Sequence, residues 1–157
     1  MMMSPAPTLT NLDLETTGRL RAVIGKLSRR LRPTPAAVQA GLTPTRISVL
    51  LTVVRERSIR LSDLAELEGI NPTQLSRAIA HLVDTGLVER SADAGDRRAA
   101  WLKPTAAGRR LTERIRRERT DALNGALESL SHDERERILS ALPALEDLAE
   151  RLKGERP

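Results

Sequence analysis

Five polar or basic side chains lie close together within residues 71–86 and are of the types that hydrogen-bond nucleic-acid bases and phosphates. They are Thr73, Gln74, Ser76, Arg77 and His81. Apolar residues recur between them at helical spacing, which predicts a short amphipathic helix with these five side chains on its outward faces. A surface helix with a solvated polar face would give the same pattern, so the neighbouring segments must decide between the two interpretations.

The segment upstream predicts a second short helix joined to the first by a tight turn. Asn71 can act as the N-cap of the later helix, with Pro72 at its first position and Gly86 as its stop. The earlier helix is expected to be capped by Ser62 and to end at Gly69. Such a pair is typical of a helix-turn-helix, whose second helix enters the major groove of DNA, although an ordinary helical hairpin also satisfies it.

A β-hairpin is predicted directly after these helices. In residues 87–103, two strand-like segments flank a polar loop that contains Asp96, Arg97 and Arg98, and residues 58–61 are expected to add one short strand. The two arginines can enter a narrow minor groove, and Asp96 can hold Arg98 by a charge-assisted bond. In this position the hairpin is the wing of a winged helix. The alternative is a surface hairpin with an ordinary ion pair.

Amphipathic helices are predicted on both sides of this region. One precedes it and ends at Pro33 and Pro35, a long one follows from the N-cap Thr105, and the last starts at a capping box in residues 131–134 and is kinked by Pro143. Their apolar faces exceed what a small winged helix can cover, which favours a two-fold dimer reading a palindrome. The basic face of the first helix either contacts DNA backbone or is simply solvated.

The expected fold is therefore mainly α-helical with a small β-hairpin wing, a winged helix-turn-helix with a helical dimerisation region. Residues 1–11 are expected to be a disordered lead, and residues 12–42 the N-terminal helix of the dimerisation region. Residues 43–104 are expected to form the DNA-binding region, and residues 105–157 the C-terminal dimerisation helices.

Composition narrows the class of partner. The formal net charge of +5 suits a polyanion, and arginine supplies nearly all of the positive charge, either for phosphate binding or because of a GC-rich genome. Trp101 is the only aromatic residue, which disfavours stacking on single-stranded nucleic acid. The sequence lacks cysteine, a membrane-spanning apolar run and a signal-peptide pattern, so we expect a cytoplasmic protein with no disulfide and no membrane partner.

Enzyme chemistry has little support in the sequence. The only histidines, His81 and His132, lie on different predicted helices, and the common metal, phosphate-loop and nucleophile motifs are absent. We therefore expect no catalytic residues, no cofactor and no metal. A site made by the two histidines with carboxylates remains open.

Four segments of residues 61–111 together resemble the MarR family of bacterial transcription regulators. They are the helix-turn-helix, GLVER at residues 86–90, DRRA at residues 96–99 and the T-x-x-G turn at residues 105–108. The resemblance implies a helical dimer with winged helix-turn-helix lobes that represses transcription and releases DNA when a small aromatic or anionic molecule binds.

The resemblance also implies roles for individual residues. It makes Arg98 the wing-tip arginine and Asp96 its holding carboxylate. The positions that match contact residues of the recognition helix are Thr73, Gln74, Ser76 and Arg77. Two features depart from the family pattern: Pro104 is expected to shorten the pairing of the last strand, and the lack of cysteine excludes thiol-based peroxide sensing.

These observations lead to one main hypothesis and one alternative. The main hypothesis is a sequence-specific repressor of nearby genes that binds a palindromic operator in double-stranded DNA as a homodimer and is released by a ligand. The alternative is a winged-helix module that binds proteins or sequesters a ligand without reading DNA sequence. Duplex RNA is disfavoured because its deep, narrow major groove excludes a recognition helix.

Overall fold

The structure, a computed structural model, describes residues 13–95 and 99–153, and within them the chain is mostly helical with one small antiparallel sheet. The chain forms two units, Met1–Ile115 and Arg116–Pro157. The described elements are α1 Leu14–Leu31, α2 Pro35–Gln39, α3 Pro44–Glu56, β1 Ile59–Arg60, α4 Leu61–Glu68, α5 Pro72–Asp84, β2 Val88–Ala92, β3 Ala100–Pro104, α6 Ala106–Glu128, α7 His132–Ser140 and α8 Leu142–Lys153. The expected fold class is confirmed.

The core of the first unit joins its helices to its sheet. Leu50, Leu64, Leu82 and Leu102, which come from α3, α4, α5 and β3, are fully buried and belong to one continuous apolar cluster. Burying a leucine side chain contributes roughly 1.5–3 kcal/mol. The helix-turn-helix and the strands that follow it are therefore held by the same apolar contacts.

The sheet has the strand order β1-β3-β2 with antiparallel pairing throughout. The short strand expected at residues 58–61 is confirmed as Ile59–Arg60. The prediction that Pro104 shortens the last strand is wrong, because Pro104 is buried and lies opposite Val88 in the ladder. Pro104 is the last residue of β3, and a strand end tolerates the missing N–H better than a strand interior does.

Two of the predicted helix starts are confirmed by their capping bonds. The Asn71 side chain accepts a hydrogen bond from the backbone N–H of Thr73 at 2.8 Å, and Pro72 is the first residue of α5. At the start of α7, Ser131 and Glu134 form a reciprocal capping box. The hydrogen bonds from Ser131 lower the pKa of the Glu134 carboxyl below its usual value.

The prediction that Ser62 caps α4 is wrong. The helix begins at Leu61, with Arg60 in the N-cap position, and the Ser62 hydroxyl donates to the Asp63 carboxylate inside the helix. Strand β1 ends at Arg60, immediately before the first residue of the helix, so no loop residue is left between the two to act as a side-chain cap. The predicted stop at Gly69 is confirmed, with a left-handed φ of 58°.

Proline effects elsewhere also differ from expectation. Pro35 starts the short helix α2, which Thr34 caps, rather than only terminating the helix before it. The last predicted helix is two helices, α7 and α8, that meet at Ala141. Pro143 is in the first turn of α8, where its missing N–H removes no helical hydrogen bond, so the predicted kink is instead a helix break.

The start of α6 is held against the junction between α5 and β2. The Thr105 hydroxyl donates to the carbonyl oxygen of Gly86 at 2.7 Å and accepts from the backbone N–H of Gly108 at 3.0 Å. The backbone N–H of Thr105 donates to the carbonyl oxygen of Leu87. A Cβ atom at Gly108 would overlap that Leu87 carbonyl. The predicted N-cap Thr105 is therefore confirmed, and Gly108 is needed for close backbone approach.

None of the helices in residues 13–95 and 99–153 combines the length and the apolar character needed to cross a membrane.

Replacing Gly108 by alanine should destabilise the fold by about 1–3 kcal/mol, because the added methyl meets backbone rather than a movable side chain. Gly125→Ala is the matched control on the same helix, since a Cβ there meets nothing within 4 Å. It should raise stability by about 0.5–1 kcal/mol. Urea unfolding of both variants measures the difference, and equal stabilities would contradict the close packing at Gly108.

Candidate nucleic-acid interface

Helix α5 buries one side and exposes the other. Leu75, Ala78, Ile79 and Leu82 are at most 5% exposed. Four of the five predicted contact residues are exposed, namely Thr73, Gln74, Ser76 and Arg77. The structure therefore brings these four together on the outward surface of the first two turns of the helix.

His81 differs from the other four predicted contact residues. Its side chain is partly buried, and its Nε2 atom is buried without a hydrogen-bond partner among the described residues. The helical spacing places His81 one turn after Arg77, toward the end of the helix. His81 is therefore less available to a ligand in solvent than the residues of the first two turns.

The turn before α5 and a bond to α3 hold the helix-turn-helix in place. Gly69 adopts the left-handed conformation that ends α4, and Asn71 then starts α5. The Glu68 carboxylate accepts from the hydroxyls of Ser48 at 2.8 Å and Thr52 at 2.6 Å, which ties the end of α4 to α3. No local sequence pattern indicates these two bonds, because α3 and the end of α4 are 16 to 20 residues apart in the chain.

The predicted wing is present as the hairpin of β2 and β3. A hydrogen bond from the Asp93 N–H to the Ala99 carbonyl oxygen, 3.0 Å long, continues the ladder beyond the last paired residues. The predicted tip residues Asp96, Arg97 and Arg98 lie outside the described residues.

A cluster at the base of the wing loop, where the paired part of β2 ends, was not predicted. Its members are Arg60, Asp93 and Trp101, and we call it the wing-base cluster. The Asp93 carboxylate accepts from the Trp101 indole N–H at 2.8 Å and from the Arg60 guanidinium at 3.1 Å. The guanidinium carbon lies 5.1 Å from the centre of the indole ring, within cation–π range. The sequence offered one signal, an aspartate two residues before Gly95, which is typical of an Asx turn.

A groove of about 700 Å³ lies beside the exposed face of α5, bounded by α4, α5 and the sheet. Its floor includes the apolar side chains Leu75 and Ile79, and its polar lining includes Ser76, Arg60 and Arg90. The lining also includes the Asp84 carboxylate, and Arg60 is paired with Asp93, so Arg90 is the cation that a small organic anion would meet.

A helix-turn-helix with an exposed polar second helix, followed by a hairpin wing, defines a winged helix-turn-helix DNA-binding protein. The MarR family model matches residues 42–100 of the chain. Over 129 residues the chain is 30% identical to the uncharacterized HTH-type transcriptional regulator Mb0904 of Mycobacterium bovis, covering 82% of this chain and 89% of that protein. The chain belongs to the MarR family, which confirms the resemblance found in the sequence.

Solved structures agree with this assignment. The chain is similar to a putative transcriptional regulator of Pseudomonas aeruginosa at 28% identity and a TM-score of 0.74, covering 90% of this chain and 99% of that one. It is also similar to NadR in complex with 4-hydroxyphenylacetate, at 27% identity and a TM-score of 0.60, covering 92% and 98%. The protein is thus a transcriptional regulator of a DNA-binding family, and no comparison indicates an enzyme.

Proposed function

We propose that this protein represses nearby genes by binding a palindromic operator as a homodimer and that a small anionic ligand releases it. One observation carries the DNA-reading part of the proposal. Thr73, Gln74, Ser76 and Arg77 are exposed together on a helix whose other side is buried in the core. Their side chains are of the types that read base edges in the major groove.

Specificity and affinity come from different residues in this proposal. The four exposed residues of α5 read the sequence, and we assign no DNA contact to His81, whose Nε2 atom is buried. The wing contributes through Arg97 and Arg98 in the minor groove, with Asp96 holding Arg98. These wing assignments rest on the sequence and on the family resemblance. Each phosphate contact releases counterions, so binding must weaken steeply with salt.

Exposed apolar surfaces support the homodimer. In α1, no side chain is buried, and the exposed apolar residues include Leu20, Val23, Ile24 and Leu27. In α8, the large apolar residues that are exposed are Leu142, Leu145, Leu148 and Leu152. Contiguous apolar surfaces of this kind mark interaction sites, and a second copy of the chain would supply a self-complementary partner. Two recognition helices related by a two-fold axis would read a palindrome.

The groove beside α5 supports ligand release. A ligand seated there would touch Ser76 and adjoin the face of α5 that reads DNA. Arg90 favours an anion, and the related NadR has been crystallised with an aromatic carboxylate, 4-hydroxyphenylacetate. Such a ligand would shift the protein away from the DNA-binding state if it prefers the unbound form.

Footprinting and titration on the DNA that flanks the gene test the first part of the proposal. We expect a protected palindrome and an affinity that falls roughly 10³- to 10⁵-fold between 50 and 200 mM salt, as for 6–10 phosphate contacts.

Arg77→Ala or Gln74→Ala should change the preferred sequence, at about 1–3 kcal/mol per lost base contact. Arg98→Ala should instead weaken binding to all sequences.

The matched control for Arg77→Ala is Arg137→Ala, which removes the same charge from an exposed position on α7. It should leave the preferred sequence unchanged. Binding that ignores both salt and sequence would support the alternative of a protein-interaction module, and so would silent substitutions at both Arg77 and Gln74.

Leu145→Glu should disrupt the homodimer, because a carboxylate in an apolar interface would lose its hydration without gaining a partner. We expect the dimer dissociation constant to rise by at least about ten-fold, equivalent to about 1.4 kcal/mol. Sedimentation at several protein concentrations measures this. Glu146→Gln, at the next position of α8, is the control and should stay dimeric; a monomeric unsubstituted protein would contradict the proposal.

Added 4-hydroxyphenylacetate or another aromatic carboxylate should dissociate the complex with the operator. The neutral amide of the same compound is the control and should release less DNA, because it cannot form an ion pair with Arg90. Arg90→Gln should weaken the response to the carboxylate. Equal release by acid and amide, measured by fluorescence anisotropy of labelled DNA, would rule out the groove as the anion site.

A further inference from the structure

We infer that the wing-base cluster fixes the position of the wing relative to the recognition helix and that Asp93 is a positioning residue for DNA binding. This inference rests on the proposed function, since it requires the wing to contact DNA. It adds a negatively charged residue to the parts of the domain on which operator affinity depends.

The first support is that one carboxylate joins three separate pieces of backbone. One oxygen of Asp93 accepts from the Trp101 indole of β3 and from the Arg60 guanidinium of β1. The other oxygen accepts from the backbone N–H of Gly95 at 2.8 Å, within the loop that leaves β2. The Asp93 side chain is only 16% exposed, so solvent screens these charge-assisted bonds less than it would screen a surface pair.

The second support is the place of Arg60 in the chain. Arg60 pairs with Trp101 across the β1–β3 ladder and is also the N-cap residue of α4, the first helix of the helix-turn-helix. A bond between Arg60 and Asp93 therefore links the outer end of the hairpin to the start of that helix. Rotation of the hairpin away from α4 would break this bond and the contact of the guanidinium with the indole ring.

The third support is that the cluster lies apart from the fully buried core. Arg60 is 49% exposed in its side chain, whereas Leu50, Leu64, Leu82 and Leu102 are fully buried without the help of the cluster. The core holds the inner part of the hairpin through Val88 and Leu102, so loss of the cluster should free only its outer end while the domain stays folded. A freed outer end must be ordered again when DNA binds, and that ordering costs affinity.

Asp93→Asn gives a test in which charge and positioning predict opposite signs. The substitution removes one negative charge, so electrostatics alone should tighten binding to DNA. Positioning predicts a loss of about ten-fold, because the amide replaces an accepting oxygen with an N–H donor and cannot satisfy all three donors. Glu66→Gln, an exposed position on α4, removes the same charge and should bind as well as the unsubstituted protein or slightly better.

Two further readouts separate positioning from a general loss of folded protein. Trp101 is the only aromatic residue of the chain, so all tryptophan emission reports on the cluster. That emission should shift in Asp93→Asn and not in Glu66→Gln. The dependence of log affinity on log salt should also become shallower by roughly one for each phosphate contact that the wing loses. A smaller folded fraction would lower apparent affinity and leave this slope unchanged.

Trp101→Phe is the second variant if Asp93→Asn does not fold. It keeps an aromatic ring in β3 and removes only the indole donor, so we expect the same direction of change with a smaller loss of affinity. Unchanged or tighter binding by the folded Asp93→Asn protein would overturn the inference while leaving the proposed function intact. Failure of the unsubstituted protein to bind any operator would overturn the proposed function, and the inference with it.

Discussion

The burial of one side of α5 is the constraint on which the proposed DNA-reading surface depends. Leu75, Ala78, Ile79 and Leu82 leave the helix almost no rotational freedom, since a shift of one residue turns a helix by about 100° and would carry Arg77 toward the core. The free-energy cost of burying that guanidinium without a partner would far exceed the stabilisation that the apolar contacts provide. The same periodicity therefore builds the core and selects the side chains that face solvent.

The parts of the structure that sequence could predict are those that depend on neighbours in the chain. Helical periodicity predicted α5, and local capping chemistry predicted that α5 starts after Asn71 and that α7 starts after Ser131. The exposure of the first two turns of α5 then followed from the buried stripe. The wing was predicted in the same way, from two strand-like segments that flank a polar loop in residues 87–103, and the family resemblance agreed with it.

The errors and omissions involve residues whose state is set by distant parts of the chain. Ser62 has the chemistry of a cap, but pairing of β1 with β3 ends the strand at Arg60 and starts the helix before Ser62. Pro104 was expected to weaken pairing, yet it occupies a strand end where a missing N–H is tolerated. The wing-base cluster joins Arg60 to Asp93 across 33 positions of sequence, and no local pattern records that contact.

The placement of a carboxylate near the proposed DNA surface argues for a geometric role. Asp93 repels phosphate wherever it stands in a DNA-binding domain, and a negative charge that is only 16% exposed also loses much of its hydration. Arg60 and Trp101 offset the second cost by direct bonds, and the ion pair with Arg60 weakens the repulsion. In the inference above, those bonds also fix the position of the hairpin relative to α4.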